Sequence, residues 1–517
     1  MRVTSSHSPR FVAFAFTSAS LAAAFVACSG DEGVDWAGPP AKGGAAGGSA
    51  VDAADGPESA AGSAGVAGAV GTGGQAGSAG EAGTAGSSGA DASVDQSVAD
   101  VVEEPPPPDV AAETCFQYTC TADARSVIDC WGNVVTNCSP SELCKNGFCK
   151  SACLVVENDQ SSVGCKFSAI DLDEHHGGSC FVAMVANTWP SNAHITVRRW
   201  NGSQMADLPA ETFTRLPTGN GAAVSYGPYS AVDGIPPGQV ALVFLSGAAG
   251  GGVACPSGIT PAVAGSAVLS GTGLGEGFEI ETDVPIVAYQ INPYGGGQAA
   301  VTGASLLLPN SAWAQNYIAM NAYSSATGIG KYASLNVVAF EDDTDVTFTP
   351  VAPVVGGGGV PASVANQPFT VKLRRSQYMQ ISQPAELTGS LVTASRKVGV
   401  FAGHQCARIP VGASFCDHIE QMIPPVRAFG AEYVAVPYEP RGSSDPTRWR
   451  FVAAADGTTI QFDPAVSAPL TLNRGGWTEI VSQKPFVARS QDLAHPFFVA
   501  ALMTGSSQVS GFTQGSQ

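Results

Sequence analysis

Basic residues are scarce. The 517-residue chain carries 24 Lys and Arg against 43 Asp and Glu, for a net charge of −19. It therefore lacks the positive footprint that nucleic acid requires, and no nucleic-acid partner is expected. Charge of either sign is thin, at 13% of residues, and no amphipathic helical stretch of a dozen residues occurs. No GxSxG, HExxH or Walker-type segment is present, which removes the commonest signatures of hydrolase, zinc-protease and nucleotide chemistry. CxxC pairs are missing too, which disfavours zinc. No cofactor and no metal are expected, and the chain reads as a non-enzyme.

Long apolar runs are also absent, with one exception. Arg2 and Arg10 flank a short leader, and Phe11 to Ala27 is then apolar or small throughout. Residues 1–27 read as a secretory signal peptide, at the short end for a membrane span. The stretch closes on Phe25-Val26-Ala27-Cys28, which resembles the lipobox of bacterial lipoprotein signal peptides without the usual Leu at its first position. The Cys28 thiol would be the acylation point, and membrane contact would run through that lipid alone. Residues 28–112 follow as a Gly/Ala/Ser/Asp/Pro tether holding about fourteen acids against Lys42 alone, up to Glu113. So little apolar area cannot offset the entropy of ordering, and a flexible, low-complexity linker is expected, stiffened at its end by Pro105 to Pro108.

Cysteine is where this sequence is rich. Apart from Cys28 there are twelve, and seven crowd into residues 113–155: Cys115, Cys120, Cys130, Cys138, Cys144, Cys149 and Cys153. Cys165, Cys180, Cys255, Cys406 and Cys416 follow. In an exported chain this even set reads as a disulfide framework, because so short a module has little core of its own. Cys406 and Cys416 are expected to close one loop. Pairing inside the dense module stays open, since six cysteines alone allow about 15 connectivities.

Residues 156–517 repeat themselves. Pro309-x3-Trp313-x3-Tyr317 recurs as Pro425-x3-Phe429-x3-Tyr433, and each copy follows a strand-like run, VPIVAYQ or KVGVFAGHQ. LNVVAFEDDTDVTFTP, from Leu335, is echoed by RFVAAADGTTIQFDP from Arg450, and more faintly by CFVAMVANTWPSNAHITVRRW from Cys180. Leu-x-Gly turns at Leu269 and Leu387 and strands around Val284, Lys397 and His495 complete the copies. Fixed-period self-similarity decides architecture before any single residue does. An all-β array of tandem related units, sandwich- or propeller-like, is predicted, with helix confined to short pieces around Ala312–Tyr317 and Glu420–Met422. The third copy stops after HPFFVAALMTG without its Pro-x3-aromatic-x3-Tyr clause, so the β region is expected to be incomplete there.

Four features invite a functional reading. Gly271 to Gly277 is glycine-rich but leads into a strand, so a connecting loop is the better reading than a phosphate cradle. Glu341-Asp342-Asp343-Thr344-Asp345 offers oxygens to Ca²⁺, yet its echo Ala455-Asp456-Gly457 keeps one carboxylate, and a hairpin turn is expected. Asp171, Asp173, Glu174, His175 and His176 could gather a metal but read as a solvated polar loop. Cys406, Cys416, Asp417 and His418 could make a Cys–His nucleophile, though a disulfide would consume the thiol. The aromatics Trp313, Tyr317, Phe429 and Tyr433 could offer contact area, but spacing matched between copies marks core packing.

The segment KVGVFAGHQCA, then CDHIEQMIPPVRAFGAEYVAVP, resembles the signature of the IgGFc-binding protein N-terminal domain family. The match falls on Gly403, His404, Cys406, Cys416, Asp417, His418, Glu420, Gln421, Pro424, Phe429, Gly430, Tyr433 and Pro437, with Phe429 in place of the more usual Trp. It extends over roughly Cys165 to Gln517. The resemblance implies a non-catalytic extracellular binding or adhesion module, here a cell-surface lipoprotein presenting a β domain to a protein or glycan ligand. The rivals are a surface hydrolase on glycans using Asp417 and Glu420, and a structural spacer of the envelope.

Overall fold

A computed structural model describes residues 117–511, apart from His176 and the segments 220–222, 296–301 and 325–329. Cys28, the tether and Cys115 lie outside the described residues.

The cysteine module is two small antiparallel pieces. β1 (Thr119–Cys120), β2 (Ser126–Ile128) and β3 (Val134–Asn137) form one, and β4 (Glu142–Lys145) and β5 (Phe148–Ser151) the other. Val127 and Cys144 are among its few buried side chains. Covalent links replace the missing core: Cys120–Cys144 and Cys138–Cys149 staple the pieces, and Cys130 is also disulfide-bonded. A one-turn helix, α1 (Ala152–Val156), leads out, and Cys153–Cys165 ties it to the first strand of the β array.

That array is three copies of one strand plan. The first unit comprises β6 (Gly164–Ala169), β7 (Phe181–Ala186), β8 (Ile195–Trp200), β9 (Met205–Leu208), β10 (Thr214–Thr218), β11 (Ser225–Pro228) and β12 (Val240–Ser246). It continues through β13 (Gly273–Glu276), β14 (Phe278–Asn292) and β15 (Gly303–Leu307), with a short α2 (Ala210–Phe213) between β9 and β10. The second unit runs β16 (Ala314–Ile318), β17 (Ala333–Ala339), β18 (Thr344–Thr349), β19 (Phe369–Leu373), β20 (Gln377–Gln383), β21 (Leu391–Ala407) and β22 (Asp417–Ile423). The third runs β23 (Glu432–Ala435), β24 (Thr447–Ala453), β25 (Thr458–Asp463), β26 (Leu470–Leu472), β27 (Trp477–Ser482), β28 (Phe486–Arg489) and β29 (Phe497–Leu502).

The pairings superimpose. β14 joins β6 and β8 by its first half, and β7 and β15 by its second. β21 joins β16 and β18, then β17 and β22, in the same order. In the third unit this long strand is broken: β28 joins β23 and β25, and β29 joins β24. Each unit is thus two antiparallel layers shared by one crossing strand, or by the pair that replaces it. Tandem related β units are what the self-similarity predicts, and the all-β class holds. β13 departs from the plan, because it precedes β14 yet pairs with β20 and so stitches the first unit to the second.

Among the described residues three apolar cores follow the units and run into one another, and a smaller cluster around Phe244 lies within the first unit. Trp313, Tyr378, Phe401 and Met422 of the second unit sit in the first unit's core, and Phe429, Val452 and Ala454 of the third extend the second's. Two expectations of helix fail. Asn310–Ala312 is a single 3₁₀ turn followed directly by β16, and Glu420–Met422 lies inside β22. Strand pairing with β21 overrides the local preference in both segments.

The repeated Pro-x3-aromatic-x3-Tyr clause is one conformation twice. Pro309 and Pro425 are both extended and open a 3₁₀ turn, and Trp313 and Phe429 close it, again extended. The tyrosine then folds back on its own turn. The Tyr317 hydroxyl accepts from the Ala314 amide at 3.1 Å, and the Tyr433 hydroxyl from the Gly430 amide at 2.8 Å. Trp313 is fully buried and Phe429 nearly so, stacked on Phe498 at 5.3 Å between ring centres.

Candidate functional site

The β21–β22 hairpin carries the residues singled out from the sequence. Strand alternation sends them to two faces. His418, Glu420 and Met422 are buried, whereas Asp417 and Ile419 are half-buried and Gln421 is exposed. Asp417 and Glu420 therefore lie on opposite faces of one strand and cannot flank a common bond, as a pair of glycosidase carboxylates must. Cys406 and Cys416 are joined by a disulfide across the hairpin ends, so no free thiol is present for a Cys–His pair.

The buried face of β22 meets the first unit in a polar hub. The Gln290 side-chain amide donates to Glu420 at 2.8 Å and to the Ile170 carbonyl at 3.1 Å, and its oxygen accepts from the Ile170 amide. Asn292 donates to Asp171 at 2.9 Å, and the Ser246 hydroxyl donates to the same carboxylate at 2.7 Å. His418 stands 4.0 Å from Glu420, beyond hydrogen-bond range. His404, fully buried on β21, accepts from the Cys406 amide at 2.9 Å through Nδ1. Burial dominates the electrostatics here. It raises the Asp171, Asp417 and Glu420 carboxyls above the usual carboxylate range, and it lowers the His404 imidazole to about 4.

The acids before His175 are not solvated, contrary to expectation. Asp171, Asp173 and Glu174 are all buried, because each satisfies a different donor. Asp173 accepts from the Gly271 amide and Ser382, and Glu174 from the Ser179 amide at 2.7 Å. Only His175 of the tract is exposed, and His176 lies outside the described residues. Among the described residues no three His, Cys, Asp or Glu side chains converge where a metal ion could sit.

The glycine tract and the acidic turn resolve into backbone. Gly273–Glu276 is strand β13, and Gly275 is required because any Cβ there would overlap the Tyr378 ring packed against it. The Glu341–Asp345 turn and its echo at Asp456 are built alike. Asp342 accepts from the Arg375 amide, Asp456 from the Arg474 amide, and Thr344 and Thr458 each bond the carbonyl three residues back. Asp343 and Gly457 take the left-handed position, at φ of 54° and 69°. Both are tight turns but not the hairpins expected: β17 and β18 pair with β21 and not with each other, and β24 and β25 likewise pair with other strands.

Where β22 ends, the surface opens. A cleft of about 380 Å³ is lined by Leu306 and Leu308 beyond and within β15, by Gln421, Met422 and Pro424, and by Phe498, Ala500 and Ala501 of β29. Among the family-signature positions, Gln421 and Pro424 thus border this cleft, while His404, His418, Glu420 and Phe429 are interior. The hub partners Gln290 and Asn292 are not singled out by the sequence. Their one trace is polar residues at alternate positions of the otherwise apolar strand VPIVAYQIN. β29's part in the cleft is likewise hidden, because Phe498 and Ala500 read as ordinary strand residues.

Fold and site together define a class: a disulfide-bonded, all-β repeat protein of the kind made in an oxidising compartment, with no assembled catalytic constellation among the described residues. Within that class, residues 303–517 match the family model described as IgGFc binding protein. Human IgGFc-binding protein is 31% identical over 114 residues, which are 22% of this chain and 2% of that relative. The chain thus spans only a small fraction of the length of the curated relative it matches. No solved structure matches. The family match begins within the first unit's last strand, β15, so the rest of that unit enters the comparison through its shared strand plan alone.

Proposed function

We propose that this chain is a non-catalytic, extracellular protein-binding module, held at a cell surface through an acylated Cys28 and displayed on its acidic tether. The observation that carries the reading is the family match over 303–517, laid on β units whose cysteines are paired. Supporting it, the Cys406 thiol is consumed and the acid pair a glycan hydrolase would use, Asp417 and Glu420, is split across two faces. Among the described residues no helix is long and apolar enough to cross a membrane; the lipid attachment is read from the Cys28 segment alone. The relative's name speaks of IgG Fc. The ligand proposed here is an extracellular protein, with glycan as the lesser possibility, because a fold does not carry its ligand with it.

Exported, oxidised full-length chain, immobilised and presented with secreted-protein panels and glycan arrays, tests this. Saturable capture of a protein without turnover is the expected result. Cleavage of any polymer in the same samples would overturn it.

A further inference from the structure

Among the described residues, one pairing edge of the third unit has no strand beside it. In the first, β15 covers the outer edge of β14 through Ala288–Leu307, Gln290–Ser305 and Asn292–Gly303. In the second, β22 covers β21 through Val400–Ile423, Ala402–Gln421 and His404–Ile419. Ala314 opposite Val398 corresponds to Gly430 opposite Phe497, so Val499 and Ala501 hold the places of Val400 and Ala402. The Phe497 amide donates to Gly430, and the Ala501 carbonyl accepts from the Tyr438 hydroxyl. Between those two bonds, β29 pairs with β24 on one side and with no strand of the described residues on the other. The residues after β29 bond elsewhere: the Gly505 amide to Ile409, and the Ser510 amide to Ser444.

The cleft lies along this same edge. β15's Leu306, β22's Met422 and β29's Phe498 and Ala500 line it. β15 and β22 also lie side by side, joined where the Met422 amide donates to Ser305 at 2.7 Å. A strand beside β29 would gain main-chain hydrogen bonds from the edge and bury its apolar side chains in the cleft, the two ingredients of strand addition.

We propose that the outer edge of β29 accepts an extended strand of a partner polypeptide, paired antiparallel as β15 and β22 pair with their own units. The two resident strands state the preferred sequence: an alternating segment whose apolar tract ends in proline, Leu306-Leu307-Leu308-Pro309 or Met422-Ile423-Pro424. The proposal rests on the protein-binding reading and names the kind of ligand.

The probe is a labelled synthetic peptide copying Asp417 to Pro425, followed by fluorescence anisotropy with the full-length oxidised chain. Saturable binding is expected. In β22 the Met422 amide faces away from β21, so the amides of Ile419, Gln421 and Ile423 face the pairing edge. N-methylation of those three should weaken the peptide at least about tenfold, whereas methylation of His418, Glu420 and Met422 should not. Ala501→Pro removes the outward amide at an edge that tolerates proline and should produce the same loss in a chain that still unfolds at the wild-type temperature. Absence of binding, or equal effects of the two methylation patterns, would overturn the proposal. So would a dimer of the chain that itself protects the Val499 and Ala501 amides from exchange. If a protein ligand is captured equally well by Ala501→Pro, the strand edge is refuted and the protein-binding reading stands.

Discussion

A single phenolic hydroxyl fixes the corner at which each unit hands the chain to the next. Tyr317 is 2% exposed and uses both its capacities, accepting from the Ala314 amide and donating to the Val398 carbonyl at 2.6 Å. Tyr433 is half-buried and makes only the first of these bonds. Removing a hydroxyl costs most where it strands buried partners, so Tyr317→Phe should destabilise by about 2–3 kcal/mol and Tyr433→Phe by about 1 kcal/mol. Urea unfolding, with exchange of the Ala314 and Gly430 amides as the local reporter, checks the order. An equal or larger loss at Tyr433 would show that the hydroxyl is not what holds the corner. Matched spacing made these tyrosines legible as core in the sequence, since chance does not repeat an eight-position interval beside matching strands. The polar hub was not legible. Gln290 and Glu420 are 130 positions apart and Asp171 lies 121 from its partner Asn292, and nothing local marks a carboxylate that will be buried against another unit.

At the level of elements, strands could be read because alternating and apolar runs punctuated by Gly, Pro and Asp leave few alternatives. The misreadings fell on segments that pairing, and not their own composition, makes into strands. Glu420–Met422 has a helix-compatible composition, and only the long β21 beside it makes it a strand. The disulfides divide by the loop they close. Cys180–Cys255 spans 75 residues and ties β7 to the loop beyond β12, whereas Cys406–Cys416 spans 10 and closes one hairpin. Chain-entropy arguments give the first about 4–5 kcal/mol and the second about 2–3 kcal/mol. The Cys180→Ser/Cys255→Ser double variant should therefore lose more stability than Cys406→Ser/Cys416→Ser, by about 2 kcal/mol in denaturant titrations. The reverse order would mean that the hairpin clamp supports the hub through strain or packing, beyond closure of its loop.

For the whole molecule, the proposal makes residues 28–112 a tether for the β units. A flexible Gly/Ala-rich coil of that length would have a root-mean-square span of about 50 Å, enough to hold a domain clear of a membrane surface. Its acids, with one lysine among them, would be repelled by anionic headgroups. These effects matter only if Cys28 is a lipid attachment point, and that is directly measurable. Cells expressing the chain and fed an alkyne fatty acid should yield labelled protein in the membrane fraction. Cys28→Ser should abolish the label and release an otherwise folded chain, since none of the disulfides resolved among the described residues uses that sulfur. Shortening the tether by half should leave the label intact while lowering capture of large ligands at the cell surface, because the reach falls with the square root of length. Label retained in Cys28→Ser would place the acyl group elsewhere and remove the basis for surface display by this tether.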